Sequence, residues 1–248
     1  RMIAKELYDA FGKSKGLGIT DIRNELLPKK RSVGSAGGTV DPDGNSVLVR
    51  GRHASMLIDP SLSARELALS VDIVALTHAH EDHVGAVGHL WGHLRAPVYA
   101  RAFTATIARL KMDEGGQDSR KVTTVQPWPE MTEAGPFKVG FVPVSHSIPE
   151  SAGLVIDTPA GRIVHSGDFK IDHTPVVGEP FSEALWTQVA KPGVKALVCD
   201  STNILREGFS PSEAQVAVNL NEIIRQAKGR VLVTTFASNA TRMRAVAE

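Results

Sequence analysis

A short run at residues 71–76, apolar but for Asp72, gives way without a spacer to Thr77-His78-Ala79-His80-Glu81-Asp82-His83. That junction constrains the chain more than any other stretch. An apolar run of this length reads as a strand buried on both faces. In extended backbone, residues two apart point the same way, so His78 and His80 can grip one cation. Asp82 and His83 follow where the chain turns into a helix, and can approach a second cation. Two-metal hydrolases hold their ions roughly 3.5–4 Å apart. A lone histidine at a strand end is ordinarily just a hydrogen-bonded side chain. Three histidines and an aspartate in six consecutive positions are different, because burying them without a cation leaves several polar groups to satisfy. Imidazole and carboxylate donors suit zinc or manganese.

Around this junction the texture is that of an α/β chain. Strands are expected at 46–50 and 55–59, as a hairpin about Gly51, and at 71–76, 97–100, 122–125, 137–144, 152–156, 162–165, 196–199 and 231–236. The run at 196–199 reads as buried, with Cys199 a small core residue. Helices are expected at 2–11, 84–94, 103–112, 212–227 and 240–247; Pro211 stands just ahead of the fourth. Residues 12–45 carry glycines, the basic Lys29-Lys30-Arg31 and the turn Asp41-Pro-Asp-Gly44, and read as loop or linker. Runs of strands with interspersed helices favour a layered α/β sandwich.

Further donors come in order along the chain. His146, in Ser145-His-Ser-Ile-Pro-Glu150, follows one expected strand, and Asp168, in His165-Ser-Gly-Asp-Phe-Lys170, follows another. An aspartate after Ser-Gly can simply cap a turn; placed after the histidine cluster and His146, it is suited to bridge two cations. Asp59 ends a strand, either as an ordinary strand-end residue or as the support of a ligand. His89 and His93, four apart on an expected helix, are given surface or packing roles, and His53, His165 and His173 match no ligand position.

Bulk properties set the outer limits. There are 28 basic and 27 acidic side chains, for a net charge of +1, so the strongly basic balance common in nucleic-acid binders is missing, although a local groove can still be positive. With one cysteine, Cys199, an internal disulfide is excluded, as suits a reducing compartment. No apolar run reaches membrane-spanning length and no signal-peptide pattern opens the sequence. The cytoplasm is the expected address.

The order H-x-H-x-D-H, then a lone histidine, then Gly-Asp resembles the metallo-β-lactamase superfamily. Within it, His78-Ala-His-Glu-Asp-His-Val-Gly-Ala86, Ser145-His-Ser-Ile-Pro-Glu-Ser151, Gly167-Asp-Phe-Lys-Ile-Asp172, Asp200-Ser-Thr-Asn203 and Thr235-Phe-Ala-Ser-Asn239 resemble the ribonuclease J-like β-CASP nucleases, from about residue 55 onward. The resemblance implies an αβ/βα four-layer sandwich with the site along one sheet edge. It also implies two divalent ions, Zn2+ first and Mn2+ as the alternative, sharing a hydroxide. His78, His80 and His146 would then hold one ion, Asp82 and His83 the other, and Asp168 both. Asp59 would orient a ligand, and Asp200 matches the acidic residue of the first β-CASP motif, where a turn-capping role is the plain alternative.

The expected division is an unassigned segment over 1–45, a metallo-β-lactamase domain over 46–205, and the beginning of a β-CASP domain over 206–248. The implied function is hydrolysis of RNA phosphodiester bonds by metal-activated hydroxide, positioned by Asp82 or Asp168. Ser238 and Asn239 would offer phosphate contacts, with helix capping the plain alternative. Two histidines that the family supplies from later in its sequence, and one wall of its RNA channel, would lie beyond residue 248. Two other readings therefore stand: a truncated relative that holds metal or RNA without cutting, and a hydrolase of another ester, such as a lactone or thioester. Homo-oligomers are common in the family.

Overall fold

The computed structural model describes residues 46–50, 54–61, 71–205 and 207–248. The expected helix at 2–11, the linker to residue 45 and His53 lie outside these residues. Ten strands among them form two sheets. β1 (Val47–Arg50), β2 (Ser55–Ile58), β3 (Ile73–Ala75), β4 (Val98–Ala100) and β5 (Val122–Thr124) lie in that order. β1 and β2 pair antiparallel, as the expected hairpin, and the remaining pairs are parallel. The second sheet has the order β10 (Ala196–Val198), β9 (Gly161–His165), β8 (Ala152–Thr158), β7 (Phe137–Pro143), β6 (Met131–Ala134). It is antiparallel except for the parallel β9–β10 pair.

Alternation along the strands explains the layers. Met56, Ile58, Ile73 and Ala75 face Phe137, Val139, Phe141, Leu154 and Ile156 across the space between the sheets. Their neighbours Leu57, Val74 and Leu76 point the other way, into a second core with Val84, Val87, Leu90, Ala105, Ala108 and Met112. These last residues belong to α1 (Glu81–Val84), α2 (Val87–Leu94) and α3 (Ala102–Glu114). On the far side, Val142, Val155 and Val164 pack against Val189, Leu185 and Trp186 of α4 (Glu183–Ala190). Each large aliphatic side chain so buried contributes about 1.5–3 kcal/mol. Helix, sheet, sheet, helix is the four-layer sandwich expected from the sequence.

Two glycines let α2 and α3 touch. A Cβ on Gly88 would run into the Lys111 carbonyl, and one on Gly115 into the Gly88 carbonyl. The helix expected at 84–94 is instead two pieces, α1 and α2, parted at Gly85-Ala86. β6 and α4 were not foreseen; β6 is a four-residue strand, half-buried in part and without an apolar run.

The C-terminal part departs most from expectation. α5 (Glu213–Gln226) forms as expected, with Ser212 capping it by accepting from Gln215 N–H, yet it has no buried residue. The strand expected at 231–236 does not form. A strand needs a paired neighbour, and Leu232 and Phe236 are 86% and 83% exposed. After it comes α6 (Ala240–Ala247). Residues 196–198 are half-buried rather than buried, because β10 is an edge strand, and Cys199 is exposed rather than in the core. Among the described residues no helix is long and apolar enough to cross a membrane.

Candidate metal centre

β2, β3, β7, β9 and β10 all end at one edge of the sandwich, where Ala152 N–H donates to Thr77 O at 3.0 Å and ties the sheets together. Asp59, the residue after β2, is fully buried with φ +45°, a conformation that aspartate tolerates better than most residues. Its carboxylate accepts from Thr77 N–H at 2.7 Å, from Thr77 Oγ1 at 2.6 Å and from His83 Nδ1 at 2.9 Å.

These bonds determine which ring nitrogens are left facing inward. Thr77 Oγ1 gives its proton to Asp59, so it must accept from His78 Nδ1, 2.9 Å away; the lone pair of His78 is then on Nε2. His80 Nε2 lies 3.1 Å from Ser147 Oγ, and the Ser238 backbone also meets the ring; Nδ1 is the nitrogen turned toward the other two histidines. His78 Nε2 and His146 Nε2 each lie 3.1 Å from His80 Nδ1. Three such nitrogens converging on one point suit a cation as common partner.

A second set shares His78. Donor atoms of His78, His83 and Asp168 lie within 4.8 Å of one another, as do those of His78, His80 and His146. His83 Nε2 is buried without a hydrogen bond, standing 3.4 Å from Asp168 Oδ2 and 3.5 Å from Asp82 Oδ2. Buried polar atoms rarely go unpartnered, and a cation would satisfy this one. Asp168 Oδ2 is also 4.0 Å from His146 Nε2, so its carboxylate faces both sets. The donors present therefore fit divalent cations.

The electrostatics separate the histidines. Burial, reinforced by His83, His146 and His80, holds His78 well below its ordinary value of 6.5. Burial and His80 bring His146 to about 4. His80 is also lowered, chiefly by burial. Burial would lower His83 too, but the opposing carboxylates of Asp59 and Asp168 outweigh it and raise the ring to about 10. Asp168 is the converse: burial would raise it, and His83 holds it below the usual carboxylate range.

The remaining candidates fall at varying distance. The Asp82 side chain is 57% exposed and near His83, outside both donor sets. Asp200 Oδ1 accepts from Thr202 N–H at 2.9 Å and Thr202 Oγ1 at 2.7 Å, closing the turn after β10. The Asn239 side chain accepts from Arg242 N–H at 2.9 Å and caps α6; Ser238 meets His80 through its backbone. His89, His93 and His173 are exposed. Sequence reasoning did not assign Thr77, Ser147 or His165. Thr77 and Ser147 adjoin ligand candidates, which was the available signal. His165, buried, accepts from Gly167 N–H at 3.0 Å and shapes the turn, with Gly167 at φ +60°, that presents Asp168.

Residues 40–199 match the family model of the metallo-β-lactamase superfamily. Ribonuclease J of Sinorhizobium meliloti is 49% identical over 175 residues, which are 71% of this chain and 31% of that protein. Ribonuclease J of Helicobacter pylori is 33% identical over 226 residues, 84% of this chain and 33% of the relative. The chain thus spans about a third of the length of these relatives. Among solved structures, a protein of unknown function from Enterococcus faecalis shares the fold with a TM-score of 0.56 at 14% identity, covering 82% of this chain and 60% of that one.

Proposed function

Because the chain belongs to the metallo-β-lactamase superfamily, we propose that its two overlapping donor sets hold a pair of divalent ions, Zn2+ or failing that Mn2+, and serve the hydrolysis of RNA phosphodiester bonds in the manner of ribonuclease J. The observation that carries this reading is the sharing of one site edge by His78-His80-His146 and His78-His83-Asp168. The likeness to two proteins named ribonuclease J directs the choice of substrate. On this reading residues 46–205 are the metallo-β-lactamase domain, 206–248 open a β-CASP domain, and the protein works in the cytoplasm.

Two bound ions supply the acidity that makes hydroxide available near neutral pH and the charge that offsets phosphate oxygens. The protein supplies the rest. His78 and His146, kept neutral by burial, present lone pairs at pH 7. Asp59 keeps a proton on His83 Nδ1, so Nε2 is the atom turned toward Asp168. On this reading Asp168, with Asp82 at the more exposed side, would orient the attacking water.

Elemental analysis of the wild type, His80→Ala and Asp168→Ala tests the site, and a 5′-phosphorylated RNA beside a panel of lactones and thioesters tests the substrate. Two equivalents of metal, reduced in both variants, with RNA cleaved in preference to the esters, is the expected outcome. Preference for an ester would replace the substrate; metal retained with no turnover would mark a binding relative. A wild type without metal would remove the premise.

A further inference from the structure

The loop that presents Asp168 is anchored two residues further on by charges to which the sequence alone gave no role. Lys170 Nζ lies 2.8 Å from Glu213 Oε1 and 3.7 Å from Asp172 Oδ2. Asp172, 1% exposed, accepts from the backbone N–H of Thr174 at 2.9 Å and of Glu213 at 2.7 Å. Glu213 opens α5, and its other oxygen meets Arg242 Nη2 of α6 at 3.2 Å. The cluster holds two charges of each sign and is at most 24% exposed at any side chain. Two backbone bonds run beside it: Lys170 N–H to Ser145 O at 2.8 Å, and Thr241 N–H to Ser147 O at 3.3 Å. One flanks each side of His146.

A half-buried ion cluster is a weak source of stability, since desolvation offsets much of the attraction, whereas a fixed geometry is something it provides well. What this one fixes is the strand-end loop between Gly167 and Asp172. Phe169 alone separates Lys170 from Asp168, and it stacks on Phe181 with ring centroids 6.5 Å apart. We infer that Glu213, gripped by Lys170 and Arg242, is a positioning residue for Asp168, so that α5 and α6 help set the affinity of the cation held by His78, His83 and Asp168. This rests on the two-ion reading of the site. His80 and His146, which hold the other cation, follow β3 and β7, and Asp168 Oδ2 stands farther from that set, 4.0 Å from His146 Nε2 against 3.4 Å from His83 Nε2, so that cation should feel Glu213 less.

The test is a Mn2+ titration of the full chain, with free Mn2+ counted by its electron paramagnetic resonance signal, on the wild type, Glu213→Gln and Arg242→Gln. Support of a ligand from outside its coordination sphere is commonly worth about 10- to 100-fold in metal affinity. One equivalent should weaken by about that factor in Glu213→Gln and less in Arg242→Gln, while the other weakens distinctly less. A folded Glu213→Gln that binds both equivalents like the wild type overturns the inference. So does equal weakening of both equivalents, which is what a merely structural tie would give. Should Glu213→Gln fail to fold, Arg242→Gln decides: unchanged affinity for both equivalents overturns the inference. A wild type that takes fewer than two equivalents fails the two-ion reading itself, an outcome separable from the others because no variant is involved.

Discussion

At the scale of single residues, the histidines of the site divide into those kept neutral and one kept charged, and the metal-free protein should reveal the division through pH. His146 falls from 6.5 to about 4 on folding, so its contribution to stability is complete above pH 6.5 and is lost as pH falls toward 4. His83 rises from 6.5 to about 10, so its contribution is complete below 6.5 and is lost as pH climbs through 10. Melting temperatures recorded in chelator should therefore peak near pH 6.5, between the two windows. His83→Gln should flatten the alkaline side alone; a wild type equally stable at pH 6.5 and 9 would contradict the account of His83. Asp59→Asn leaves the shape of the site but removes the charge facing Nδ1 and turns one acceptor into a donor. It should weaken metal binding by about 10- to 100-fold, measured by competition against a chelating dye. Unaltered affinity would mean that His83 is held by packing rather than by Asp59.

At the scale of elements, close backbone approach makes two glycines indispensable. Gly88→Ala puts a methyl group against the Lys111 carbonyl where α2 crosses α3, and overpacking of that kind costs about 1–3 kcal/mol. Gly167→Ala adds strain at φ +60° and a Cβ 2.6 Å from the Ala152 carbonyl, in the turn before Asp168. Both variants should unfold at lower denaturant, but only Gly167→Ala should also lose metal; loss of metal in Gly88→Ala would spread the site's dependence to the outer helices. The same elements show what could be read without coordinates. Residues 71–76 and the histidines after them were legible because ligand, strand and turn are adjacent in sequence, and His146 and Asp168 because each follows an apolar run. The hydrogen bonds that select the inward nitrogens were not, since Asp59 and Thr77 are 18 residues apart and Ser147 and His80 are 67 apart. Periodicity also misled at 231–236: the apolar pattern was read correctly, but a strand forms only where another strand pairs with it.

At the scale of the whole molecule, the sandwich and the C-terminal helices differ in how they are held. β2, β3, β7 and β8 are buried between layers, with Met56, Ile58, Val74, Phe141 and Leu154 fully so. α5 buries no residue, and among the described residues ten of the twelve large apolar side chains left exposed fall between Ile204 and Met243. Local opening free energies follow buried apolar contact, so amides of β3, β7 and β8 should exchange hydrogen only through global unfolding, whereas those of α5 exchange through a separate, cheaper opening. The ion cluster at Glu213 and the contacts of α6 with Ser147 cross the boundary between these two regimes. Mass-resolved hydrogen exchange can therefore ask whether the site belongs to the stable part or the labile one. Protection of α5 should rise on adding Mn2+, because a cation that binds Asp168 in its native place favours the closed state of everything that holds the loop there. Protection confined to β3, β7 and β9, with α5 exchanging as fast as before, would show that the sandwich alone carries the centre and that the C-terminal helices are passengers to it.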